Sequence, residues 1–219
     1  MSEAETVRGY HLKGKKGLNH WDALLEEWLL AHERYCRIMK GYDSAHWYKE
    51  TPNVSVLCAA AWRCGRIALQ EFKTEKKVRG EEPWTGRGDL WICTDTDGKD
   101  EFIEAKHKFV PLSGAKDKNG LPTTIKKSME EATNAAKKTK GYQRGVTALA
   151  VVFASASAAP KTPTDKIGQQ IIDFCEGIKS SADYHALAWC FPKETRTLRN
   201  KKGYYYPGIA MLVKNIEFE

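Results

Sequence analysis

Two short segments hold residues whose types and spacing could do chemistry. Asp89 stands in RGDLWI, and Glu104-Ala105-Lys106 stands in EFIEAKHKF further along the chain. Side chains alternate along a strand, so Glu104 and Lys106 share one face while Ala105 and His107 take the other. Two carboxylates on neighbouring strands converge well on a divalent cation, and hard cations such as Mg²⁺ take oxygen ligands. A lysine beside them can orient or deprotonate a water, or stabilise charge growing on a phosphate. The set suits metal-assisted phosphodiester hydrolysis. The plain alternative is a cross-strand ion pair on an exposed sheet, with Asp89 merely ending a turn. By alternation His107 points away from the acids, where packing suits it better than catalysis.

The elements that must position these residues follow from hydrophobic period and turn chemistry. GRGDLWICT (86–94) and DEFIEAKHKF (100–109) read as strands, and Asp97-Gly98 between them signals a hairpin. Upstream, residues 1–17 are polar and read as a fraying basic arm. Residues 18–40 show helical spacing through Leu24, Leu25, Trp28, Leu29, Tyr35 and Ile38, with Asn19 or Asp22 as cap. The Gly- and Pro-punctuated stretch 41–53 reads as a loop, and a second helix is predicted over 54–77 on the stripe Leu57, Ala61, Cys64 and Ala68. Downstream, TTIKKSMEEATNAAKKTK reads as a helix, VTALAVVFA as a central strand, 164–180 as a helix, and HALAWCF and PGIAMLVKNI as strands. The order implies an α/β fold: a mixed β-sheet with helices on both faces. It divides into an N-terminal basic arm and helical extension (1–53) and an α/β core (54–219), within a single compact domain.

Composition narrows the partners. The 219 residues carry Lys+Arg 35 against Asp+Glu 28, a net charge of +7, with 42% hydrophobic and 29% charged residues. That excludes a disordered tail, a collagen-like repeat and a coiled-coil rod. No apolar run approaches the ~18–20 residues of a membrane helix, and MSEAETVRGY offers no apolar stretch for export, so the chain reads as soluble and cytoplasmic. From Glu104 to Arg144 there are ten basic residues and four acidic ones, and KETRTLRNKK (193–202) is a second basic cluster. Either is a solvated face or a surface for a phosphate backbone. The six cysteines form no C-x-x-C pair and no zinc spacing with histidine, which fits free thiols in a reducing compartment.

GRGDLWI followed by EFIEAKHKF resembles the core motif of the PD-(D/E)xK nuclease superfamily, the restriction-endonuclease-like fold. The likeness covers the order of elements from about Val54 to Cys190, with identity confined to the two strands; Gly88 stands where the motif has its proline. The resemblance implies a Mg²⁺-dependent deoxyribonuclease, Mn²⁺ substituting, with endonuclease action favoured over exonuclease. Asp89 and Glu104 would hold the metal and Lys106 would position the attacking water. Many members complete the metal site with a glutamate on the preceding helix. Glu71 continues the predicted helical stripe and is the candidate, with Glu75 one turn on as the alternative. Arg87, Lys108, Lys126, Lys127, Arg196 and Arg199 are expected to contact DNA. Defence against foreign DNA, mobile-element function or repair would suit such an enzyme, possible as a homodimer. The competing reading is a catalytically silent member that binds nucleic acid or protein on the same scaffold.

Overall fold

The computed structural model describes residues 5–14, 17–76, 80–93, 100–113, 123–140 and 145–218. Its strands are β1 (Val7–Leu12), β2 (Ile67–Lys76), β3 (Trp84–Cys93), β4 (Glu101–Pro111), β5 (Thr147–Ala158), β6 (Ala186–Phe191) and β7 (Tyr205–Asn215). Its helices are α1 (Asp22–Ile38), α2 (Glu50–Arg63), α3 (Thr123–Lys140) and α4 (Thr164–Ser181). The strands form one sheet in the order β1-β6-β7-β5-β4-β3-β2. β4 and β5 run parallel from Glu101↔Thr147 to Pro111↔Ser157, joined through α3, and the other neighbours pair antiparallel.

Helices cover both faces, as the alternating pattern requires. On one face α1 and α2 set Leu24, Trp28, Leu57 and Ala61 against Leu90, Ile103 and Val151. On the other, α3 and α4 set Ile125, Met129, Ile167 and Ile171 against Val152, Ala154 and Leu212. Each such large aliphatic side chain stabilises the fold by about 1.5–3 kcal/mol when fully buried. β5 is buried along nearly its whole length, which is why its sequence is continuously apolar rather than alternating.

Three expectations change. The N-terminal segment contributes β1, which pairs with β6 from Val7↔Phe191 to Leu12↔Ala186 and forms one edge of the sheet. The second helix starts and stops earlier than its apolar stripe suggests. It begins at Glu50, because Pro52 falls in the first turn, where its missing N–H costs nothing. It ends at a Schellman motif: Gly65 takes φ +83°, Arg66 N–H donates to Ala61 C=O and Gly65 N–H to Trp62 C=O. The chain then enters β2, so Glu71 and Glu75 lie on a strand and not on a helix. The 53/54 division falls inside α2, and β1 belongs to the same sheet as the core.

The α1 end of the molecule is pinned to β4 by a buried carboxylate. Glu101 accepts a hydrogen bond from Trp21 Nε1 at 2.8 Å and lies 2.7 Å from His20 Nε2, with Arg66 Nη1 at 3.7 Å from its second oxygen. The Asp97-Gly98 turn lies outside the described residues; the strands it joins do pair antiparallel, at Ile92↔Glu101, Trp91↔Phe102 and Leu90↔Ile103.

Candidate active site

Pairing between β3 and β4 stops at Leu90↔Ile103. The next residue on each strand is Asp89 on β3 and Glu104 on β4, so the two carboxylates stand at the point where the strands part. At the fork the Ala105 N–H donates to Asp89 Oδ2 at 2.7 Å. That bond fixes the Asp89 side chain across the opening. Burial raises the Asp89 pKa above the ordinary carboxylate value, the Ala105 N–H opposes the rise, and the neighbouring Glu104 adds to it.

Glu104 is buried on the α3 side of the sheet, where its Oε1 accepts from Lys76 Nζ at 2.6 Å and from Thr139 Oγ1 at 2.9 Å. Lys76 is the last residue of β2 and Thr139 lies in the last turn of α3. Lys106, on β4, donates to the carbonyl of Ala105 at 2.6 Å and stands 3.6 Å from Glu50 Oε2, at the start of α2. Burial raises the Glu50 pKa; Lys106 opposes this, while Asp89 and Glu104 reinforce it. Glu50, Asp89, Glu104, Lys106 and Lys76 therefore act on one another as a single electrostatic group.

Glu71 has another role. It takes φ +55° in β2, and its carboxylate pairs with Arg87 at 2.8 Å at the exposed surface. Gln70, beside it, accepts from Ser55 of α2, whereas Lys76, of the same parity, reaches Glu104 on the α3 side. The left-handed residue is where the strand changes the face it presents. Glu75 is exposed opposite Thr85 on the neighbouring strand. The helix glutamate that does reach the group is Glu50.

The basic residues divide. Lys126 and Lys127 are exposed on α3, Lys108 is half-buried on β4, and Arg87 is exposed but engaged by Glu71. Arg199 is exposed and holds its guanidinium 4.7 Å above the Tyr205 ring. Arg196 corrects an expectation: it is buried and donates to the carbonyl of Glu5, so it serves the fold and not a bound phosphate. His107 packs edge-on against Phe109 with its Nε2 2.9 Å from Ser155 Oγ, and burial lowers its pKa to about 4.

Glu50, Lys76 and Thr139 escaped the sequence reading because each meets the motif only through the tertiary fold. The one local signal was Pro52, which marks a helix start as readily as a loop. Among the described residues, no three His, Cys, Asp or Glu side chains cluster in a way that would hold a cation by themselves. No helix of the described residues is long and apolar enough to cross a membrane. Comparison with family models, curated proteins and solved structures finds no match to this chain.

Proposed function

We propose that the protein is a cytoplasmic, metal-dependent deoxyribonuclease of restriction-endonuclease-like type, with its active site at the β3/β4 fork. The observation that carries this reading is the placement of Asp89 on β3 and Glu104 on β4 at the point where the two strands part, with Lys106 of β4 in electrostatic reach of Asp89. Glu50 of α2 joins them through Lys106.

The donor set fits a hard divalent cation. All three acids offer oxygen, and Mg²⁺ keeps several waters while binding through one or two carboxylates, so a third protein ligand is not required. Asp89 and Glu104 would hold it; when bound, it would supply charge to the phosphate and lower the pKa of a coordinated water. The raised pKa of Asp89, caused first by burial and then by Glu104, marks a carboxylate environment that an added cation relieves.

The chain's own residues account for the remaining steps. Lys106, held between the Ala105 carbonyl and Glu50, positions the attacking water and stabilises charge on the phosphate oxygens. Glu50 fixes the direction of the Lys106 ammonium. Lys126 and Lys127 neutralise the backbone of the bound strand, and Lys108 extends the cationic surface along β4.

The test is incubation with plasmid DNA in Mg²⁺ or Mn²⁺ and in chelator, alongside Asp89→Asn and Lys106→Ala. Cleavage that disappears in both variants and in chelator supports the nuclease. Salt-sensitive DNA binding without cleavage in the wild type supports the silent binding module instead.

A further inference from the structure

The strongest unassigned feature of the fork is Lys76. Its Nζ lies 2.6 Å from Glu104 Oε1, and its side chain is only 14% exposed against 6% for Glu104. Lys76 is thus a largely desolvated cation held on one of the two carboxylates assigned to the metal. The strand beside it makes room for the contact. A Cβ at Gly86 would come within 2.9 Å of Lys76 Cδ and 3.1 Å of its Cγ and Cε, so the lysine stem lies against bare backbone. Thr139 supports the same oxygen from α3 at 2.9 Å, so Glu104 Oε1 is held from two elements.

Charge decides what such a contact does. The three carboxylates Glu50, Asp89 and Glu104 face two ammonium groups, Lys106 and Lys76. Without Lys76 the group would carry two net negative charges and match a divalent cation; with it, only one remains. Lys76 and an incoming cation also compete for the same carboxylate. Resting on the nuclease reading above, we propose that Lys76 is an internal competitor for the metal site: a tethered cation that neutralises Glu104 and raises the concentration of divalent cation needed to load it. Lys76 here is a positioning residue; it acts through Glu104 and touches neither DNA nor the reacting atoms.

The experiment is Mn²⁺ binding to the DNA-free protein, followed by electron paramagnetic resonance. Wild type, Lys76→Met, Lys76→Gln, Lys76→Arg and Glu104→Gln are compared, each checked for folding by circular dichroism. Lys76→Met and Lys76→Gln should bind Mn²⁺ at least about tenfold more tightly, since one unit charge acting on a divalent ion several ångströms away has that effect even in a water-like dielectric and a larger one in a desolvated site. Lys76→Arg should stay close to wild type, and Glu104→Gln should lose binding. Unchanged or weaker binding in both neutral variants, with Glu104→Gln still deficient, overturns the competitor role and leaves the metal site standing. Wild type that binds no better than Glu104→Gln overturns the metal site and the competitor role together. If Lys76→Met does not fold, Lys76→Gln decides the matter, since it keeps a polar head on a stem of similar reach.

Discussion

Lys106 Nζ stands 3.6 Å from Glu50 Oε2, bringing the first turn of α2 onto the strand that carries the E-x-K sequence. The relationship replaces the one expected from a continuous helical stripe, and it moves the helix acid from Glu71 to Glu50. Glu50→Gln should lower the plasmid cleavage rate about a hundredfold, the size of a lost acid–base or positioning contribution. Glu71→Gln should leave it unchanged. Single-turnover cleavage at saturating DNA separates the two, and equal losses in both would dissolve the assignment.

The backbone at Glu71 gives a second prediction, on stability alone. An L-residue in the left-handed region costs about 1–2 kcal/mol, while glycine in a strand costs about 0.5–1 kcal/mol in entropy. Glu71→Gly should therefore leave the protein as stable or more so, by up to about 1 kcal/mol in urea unfolding. Glu71→Val should lose about 1–2 kcal/mol, because a β-branched side chain tolerates that conformation worst. A more stable valine variant would contradict the strain.

Three histidines set the acid side of the stability curve. Burial lowers the pKa of His46 and His107 to about 4 and that of His32 to about 3, against 6.5 for an unperturbed imidazole. The unfolded chain takes up protons near pH 6.5 that the fold refuses until these lower values, so stability falls as pH drops through this window. Each histidine contributes a slope of up to about 1.4 kcal/mol per pH unit there. Asp89 and Glu50 act oppositely: with raised folded values, they favour the fold below the usual carboxylate pKa and lose that contribution as pH rises through their own. Among the described residues both buried ring nitrogens of His32 find no hydrogen-bond partner, so His32→Leu should hold or raise stability at pH 7 and flatten the decline between pH 6 and 4. Melting temperatures across that range measure it.

DNA binding should distinguish the surface lysines from the buried arginine. Replacing Lys126 and Lys127 together by alanine should reduce the slope of log affinity against log salt by about 1–2. Arg196→Ala should leave that slope alone and instead cost about 1–3 kcal/mol of stability, since it strips a buried hydrogen-bonding group from its partners. Fluorescence anisotropy at several salt concentrations reads the first effect and chemical unfolding the second.

What the sequence conveyed well was whatever local pattern dictates. α3 occupies the predicted TTIKKSMEEATNAAKKTK without adjustment, since apolar Ile125, Met129, Ala132 and Ala136 recur at helical spacing. β5 announced itself by its unbroken apolar run, and β3 and β4 by strand-like segments on either side of an Asp-Gly dipeptide that lies outside the described residues. The α2/β2 boundary was lost because Ala68 continues the helical stripe by coincidence, while Gly65, the residue that ends the helix, is small enough to pass as part of it. β1 was lost because an edge strand is half-exposed and carries too little apolar signal to register. Within the site, Asp89, Glu104 and Lys106 could be read as a local motif. Glu50 and Lys76 could not, because nothing near them in sequence records the strand and helix that they meet in the fold.

The parting of β3 from β4 has a mechanical side. β2 and β3 stay paired out to Lys76↔Trp84, well past the point where β3 leaves β4. From Leu90 to Trp84 this two-stranded arm has a contour of about 20 Å at the usual rise per residue. Yet Lys76, at the end of β2, meets Glu104, the residue just past the last β3–β4 pair, so the paired strands bend toward the α3 face and an ion pair ties them there. If a cation drew Glu104 away from Lys76, as proposed above, the same step would remove an ion pair that ties the end of β2 to β4.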